Sequence, residues 1–88
     1  MNMQDFRQKI DEIDRSLVEL IEKRMDLSVE IGIYKKENNI AIYDPKREEE
    51  KLTELCALVK KGKESYIKEI YTLIFDLSRL AQEKIING

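Results

Sequence analysis

Histidine and tryptophan are absent from the sequence, and only one cysteine, one proline and three glycines occur among its 88 residues. Each shortage closes off a class of answer. Cys56 has no second cysteine with which to form an internal disulfide, and without histidine no structural zinc site is expected. No apolar run approaches the length that crosses a bilayer, so a membrane role is not expected. The N-terminal stretch Met1-Asn2-Met3-Gln4-Asp5 lacks the basic-then-apolar pattern of an export signal. A lone cysteine and no export signal point to a reducing, cytoplasmic location. A net charge of −2 argues against nucleic acid as a partner, because phosphate binding needs a basic face.

What is present is helical. Charged residues make up 39% and hydrophobic residues 42%, a balance that suits an amphipathic helical protein facing water. Glycine and proline are scarce and β-branched residues do not recur with period two, so the sequence predicts an all-α fold. The length predicts one domain, residues 1–88, with no repeat or linker. A core of this size is marginal alone, and with disulfide and metal unavailable, oligomerisation is the remaining support.

A first helix is predicted from about Met3 to about Glu37. Its apolar row reads Met3, Phe6, Ile10, Ile13, Leu17, Leu20, then Arg24, then Leu27, Ile31 and Tyr34, alternating steps of three and four as a heptad seam does. Asn38-Asn39 supplies its stop. Asp44-Pro45 opens a second helix, with Asp as N-cap and Pro at the first helical position, and Gly62 is expected to end it. Ser65 is expected to cap a third, whose inner row is Ile67, Ile70, Ile74, Leu77 or Ser78, Ala81 and Ile85. A first helix of this length is about 50 Å long, whereas a compact chain of this size has a radius of gyration of about 12 Å. It overhangs its own neighbours, which predicts a homodimer built around it.

The informative residues are polar ones in apolar places. Arg24 interrupts the seam, and Lys35, eleven residues on, shares its face about 16 Å along the axis, with Ser28 between them. Two long cations so spaced can bracket a small dianion. Taken singly, Arg24 reads equally well as a register-setting residue or structural ion pair, and Lys35 as a solvated surface lysine. Glu48 heads the apolar row of the second helix, where the helix N-terminus alone would explain it. Asp44 is explained as a cap and Arg47 as a surface residue. Ser78 and Gln82, four apart, fall on or beside the inner row of the third helix, where a core hydrogen-bonding role is the plain reading. Together, polar groups from three helices aim at one interior, and their cations require acids or a bound anion. Arg7 lies about 25 Å from Arg24 along the same helix, within reach only of a partner's site in an antiparallel pairing.

These residues carry a resemblance. Arg7 with Ile10 through Ile13-Asp14, Glu22-Lys23-Arg24-Met25-Asp26-Leu27, Glu30-Ile31-Gly32 with Lys35, Asp44-Pro45-Lys46-Arg47-Glu48 and Ser78-Arg79-Leu80-Ala81-Gln82 make the chain similar to the all-α chorismate mutases, the AroQ class. Each segment alone is commonplace; the ordered set with its spacings is specific and spans nearly the whole chain. The resemblance implies an intertwined homodimer of three-helix protomers. It also implies rearrangement of chorismate to prephenate on the route to phenylalanine and tyrosine, with no cofactor or metal. By the same resemblance, Arg24 and the other protomer's Arg7 hold the two substrate carboxylates. Lys35 meets a carboxylate and the ether oxygen, Gln82 donates to that oxygen from the opposite side, and Glu48 accepts from the ring hydroxyl. Asp44, Arg47 and Ser78 complete the pocket.

Two other readings compete. An isochorismate pyruvate lyase on the same fold would share the cationic grip and release pyruvate; a polar Glu48 and Ser78 favour the mutase. A non-catalytic dimerisation module would use the heptad seam with Arg24 setting register, and it leaves Lys35, Glu48 and Gln82 without a reason.

Overall fold

A computed structural model describes residues 1–88 as three helices without strands: α1 (Met3–Glu37), α2 (Pro45–Cys56) and α3 (Glu64–Asn87). The all-α expectation holds, and both ends of α1 fall where the sequence puts them. Asn2 accepts from the Asp5 N–H through its side chain while the Asp5 carboxylate accepts from the Asn2 N–H, both at 3.0 Å. This reciprocal capping box satisfies two of the helix's orphan donors. At the far end, Asn39 adopts a left-handed φ of 53° and the Ile40 N–H donates to the Lys35 carbonyl at 2.9 Å. That six-to-one bond closes the last turn. Asn is one of the few residues other than Gly that accept such a φ at low cost.

α2 starts as the Asp-Pro signal indicates, with the Asp44 carboxylate accepting from the Arg47 N–H at 3.0 Å. It ends at Cys56, well before Gly62. The Leu58 N–H donates to Leu55, three residues back, so the chain tightens and leaves the helix early. Gly62, at φ 98°, instead turns the connection into α3. Its N–H donates to the Glu64 carboxylate at 2.9 Å, which starts α3 at Glu64 and puts Ser65 inside the first turn rather than at the cap.

α3 is the central element: it packs against α1 and against α2, which do not pack on each other. The protomer is elongated, 54 × 27 × 14 Å. Five residues are buried: Ser28 and Gly32 of α1, and Phe75, Ser78 and Gln82 of α3. All belong to the α1–α3 packing, and of the two candidates for the inner row Ser78 is buried while Leu77 is exposed. Along α1, the row from Met3 to Tyr34 keeps 45–61% exposure at every apolar member. An exposed apolar row of this length, interrupted at Arg24, has the character of an interaction surface. No helix is long and apolar enough to cross a membrane.

The Asn39 turn gives a direct test. Asn39→Val is expected to lower unfolding free energy by about 1–2 kcal/mol, because a β-branched side chain is forced into the left-handed region. Asn39→Gly is expected to match the wild type or exceed it slightly; urea denaturation midpoints distinguish the two.

Candidate functional site

The α1–α3 contact opens toward the start of α2 as a cleft of about 230 Å³. α1 contributes Arg24, Ile31 and Lys35, and the α1–α2 connection contributes Ile42. Asp44 caps α2, which presents Arg47, Glu48 and Lys51 from its first two turns. Phe75, Ser78 and Gln82 of α3 complete the wall. The chain therefore brings together Arg24, Lys35, Asp44, Arg47, Glu48, Ser78 and Gln82, all seven residues that the sequence points to within one protomer. Arg7 is not among them. It sits near the N-terminal end of α1 beside Gln4, Asp11 and Arg15, about 25 Å up the helix from Arg24.

The floor is a short relay of hydrogen bonds. Gln82 Nε2 donates to Ser78 Oγ at 3.4 Å, Ser78 and Ser28 share a 2.6 Å hydroxyl–hydroxyl bond, and Ser28 donates to the Arg24 carbonyl at 3.1 Å. Read in that direction, each hydroxyl accepts once and donates once, so both buried serines are satisfied. Gln82 is not. It is 5% exposed, and its Oε1 has no partner within the protein. One amide N–H and the carbonyl oxygen thus remain free to bond a ligand or a water, and a buried amide left unsatisfied is costly.

Gly32 sets the depth of this floor. A Cβ at residue 32 would lie 3.0 Å from Gln82 Cα and 3.3 Å from its Cβ and Cγ. Such contacts are tighter than ordinary packing, so any side chain here would require α3 to give way by a few tenths of an ångström, with the Gln82 backbone the nearest obstacle.

The cations are held without being neutralised. The Arg24 guanidinium carbon lies 5.8 Å from the Tyr71 ring centroid and 5.9 Å from that of Phe75, within cation–π range. Lys35 Nζ donates to the Ile42 carbonyl at 2.9 Å, which fixes the amine and leaves two of its three hydrogens. Arg24, Lys35 and Arg47 form no salt bridge, whereas Lys51 pairs with Glu54 at 3.6 Å. The cleft's own carboxylates are engaged elsewhere: Asp44 caps α2, and Glu48 Oε2 lies 3.0 Å from Arg79 Nε. That Arg79 N–H is not aimed well enough for a hydrogen bond, so the contact is an ion pair. Three free cations beside a hydrogen-bonding amide can bind and orient a small organic dianion.

Sequence reasoning passed over Lys51 and gave Arg79 no role. Lys51 was findable, since it follows Glu48 by one turn on the same face. Arg79 was not, because an arginine beside an inner row reads as a solvated residue until the partner helix is in place.

Comparison with known proteins follows the same outline. Residues 6–83 match the family described as chorismate mutase type II. The chain is similar to the bifunctional chorismate mutase/prephenate dehydratase of Buchnera aphidicola subsp. Acyrthosiphon pisum (strain APS), 39% identical over 83 residues, 92% of this chain and 22% of that protein. It is also similar to the protein of that description from Buchnera aphidicola subsp. Schizaphis graminum (strain Sg), 38% identical over 84 residues, 93% of this chain and 22% of the other. The T-protein of Haemophilus influenzae (strain ATCC 51907 / DSM 11121 / KW20 / Rd) is 39% identical over 46 residues, 52% of this chain and 12% of that protein. The chain spans about a fifth of the length of the Buchnera relatives. No solved structure matches it.

Gly32→Ala tests the floor. Alanine is the better helix former by about 1 kcal/mol, but overpacking against Gln82 is expected to cost about 1–3 kcal/mol. The expected outcome is a net loss of thermal stability; a stabilised variant would show that α3 does not approach α1 this closely.

Proposed function

The chain belongs to the chorismate mutase type II family, and from that premise we propose that it rearranges chorismate to prephenate, as a homodimer, on the route to phenylalanine and tyrosine. The observation that carries this reading is the convergence of three unpaired cations, Arg24, Lys35 and Arg47, on a buried amide with unused hydrogen-bonding capacity. A dianionic substrate answers both.

The chemistry suits such a site. In this pericyclic rearrangement the ether carbon–oxygen bond breaks as a carbon–carbon bond forms within one molecule, so no nucleophile, external proton or electron is required. A histidine-free chain is no obstacle. Arg24 holds one carboxylate and favours the compact conformer in which the reacting carbons meet, an orientation effect. Negative charge gathers on the ether oxygen as its bond stretches. Lys35 and Gln82 donate to that oxygen, binding the transition state more strongly than the ground state. Lys35 needs only the two hydrogens not engaged by Ile42. Glu48 accepts from the ring hydroxyl, while Asp44, Arg47 and Ser78 close the pocket.

The second copy has two tasks in this reading. It covers the apolar row of α1, which the protomer leaves exposed from Met3 to Tyr34. It also delivers Arg7 to the second substrate carboxylate, because an antiparallel pairing of two α1 helices lays the N-terminal end of one beside the cleft of the other. The half-buried thiol of Cys56 accords with a reducing, cytoplasmic setting.

Incubation with chorismate, with the product identified chromatographically, tests the assignment. Prephenate is expected; pyruvate would move it to an isochorismate-lyase-like reaction, and no consumption would favour a dimerisation module. Gln82→Ala and Arg24→Ala are each expected to lower kcat/KM by roughly 10²–10³. With no histidine in the chain, turnover is expected to be flat from about pH 6 to pH 8. For the shared site, mixing inactive Arg7→Ala and Arg24→Ala proteins is expected to restore activity through mixed dimers. Failure despite demonstrated subunit exchange would remove Arg7 from the site.

A further inference from the structure

Glu48 raises an electrostatic difficulty that the cleft must resolve. A carboxylate beside Arg24, Lys35 and Arg47 competes with a dianionic ligand for the same cations, and it also repels that ligand. Glu48 nevertheless pairs with none of them. Its Oε2 pairs with Arg79 Nε at 3.0 Å, a contact in which both side chains are about three-quarters covered (28% and 25% exposed), and its Oε1 makes no hydrogen bond. Arg79 does not line the cleft. Its guanidinium also donates to Asp76 one turn back on α3 and lies 4.7 Å from the Tyr43 ring centroid. One planar cation is therefore fixed from three sides: by its own helix, by the α1–α2 connection and by α2.

We propose that Arg79 is a positioning residue for the reaction: it draws the Glu48 carboxylate away from the cleft cations, cancels its charge toward the dianion and presents its free oxygen to the substrate hydroxyl. The inference rests on the chorismate reading above, which assigns Glu48 the hydroxyl contact and says nothing of Arg79. Without the guanidinium, the cations left beside Glu48 in the cleft are Arg24, Lys35, Arg47 and Lys51, and of these only Lys51 already has an acid partner, Glu54. The carboxylate would then occupy them in the free protein, and substrate would have to displace it. A lysine at residue 79 keeps the charge, but its point-like ammonium lacks the planar fork that reaches Asp76 and Glu48 together while stacking on Tyr43.

The test is a double-mutant cycle on steady-state kinetics with chorismate, using wild type, Arg79→Gln, Glu48→Gln and the double variant, each checked for folding by circular dichroism. Arg79→Gln is expected to raise KM roughly five- to tenfold, the scale of a partly buried ion pair, with a smaller fall in kcat. In the Glu48→Gln background the same change is expected to alter KM and kcat less than about twofold, because Arg79 acts only through Glu48. Arg79→Lys is expected to fall between wild type and Arg79→Gln, and it serves as the probe if the glutamine variant does not fold. A merely structural arginine would lower the melting temperature and reduce activity equally in both backgrounds. Such additivity, or unchanged KM in Arg79→Gln, overturns the inference and leaves the chorismate reading standing. Absence of turnover by the wild type overturns the reading itself, and the inference with it.

Discussion

Everything in this protomer hangs on one close approach, where Ser28 and Gly32 of α1 meet Ser78 and Gln82 of α3. All five buried residues belong to this packing, and only Phe75 among them is a large apolar side chain. Most small helical domains bury a hydrophobic centre and leave their sites at the rim. Here the best-buried place is the floor of the site, where two serines and a glutamine relay hydrogen bonds toward the Arg24 carbonyl. A buried polar relay of this kind tolerates little error, since one missing partner exposes the whole desolvation cost. Gly32 permits the geometry and Gln82 carries its unfinished end.

From that floor the electrostatics follow. Arg24, Lys35 and Arg47 reach the cleft unpaired, the first beside the Tyr71 and Phe75 rings and the second tethered to a main-chain carbonyl. The cleft's two acids do not offset them, because one caps α2 and the other is paired with Arg79. The chain thus keeps positive charge in reserve for a ligand rather than spreading it through internal salt bridges. The apolar face of α1 is unfinished in a parallel way, with a long stripe that the protomer's own helices leave uncovered. A polar deficit and an apolar one lie along the same helix: the dianionic substrate is proposed to answer the first, and a partner subunit, bringing its own seam, the second.

Much of this was legible in the sequence because it is written locally. The end of α1 and the start of α2 follow from Asn38-Asn39 and from Asp44-Pro45, each a cap whose partners lie within a few residues. Arg24, Lys35, Glu48, Ser78 and Gln82 stood out because they interrupt or border apolar rows of known period. The misplaced boundaries had competitors of equal locality: the tight Leu58–Leu55 bond ends α2 early, and Glu64, bonded to the Gly62 N–H, displaces Ser65 from the cap. Arg79 and the structural need for Gly32 were illegible for a different reason. Both depend on what lies across a helix–helix contact, about 50 residues away in the chain for Gly32 and Gln82, and no spacing within one helix records that.

The most direct measurement of the central claim, that the cleft holds unpaired cations for a dianion, is thermal unfolding with ring-bearing carboxylates of matched shape. A cyclohexadienyl or bicyclic dicarboxylate is expected to raise the melting temperature progressively with concentration, by mass action on the folded form; about 2.7 kcal/mol of stabilisation corresponds to ligand at 100 times its Kd. The monocarboxylate of the same ring is expected to do far less, and the dicarboxylate effect is expected to vanish in Arg24→Ala. Equal shifts from mono- and dicarboxylate, or none from either, would contradict the account.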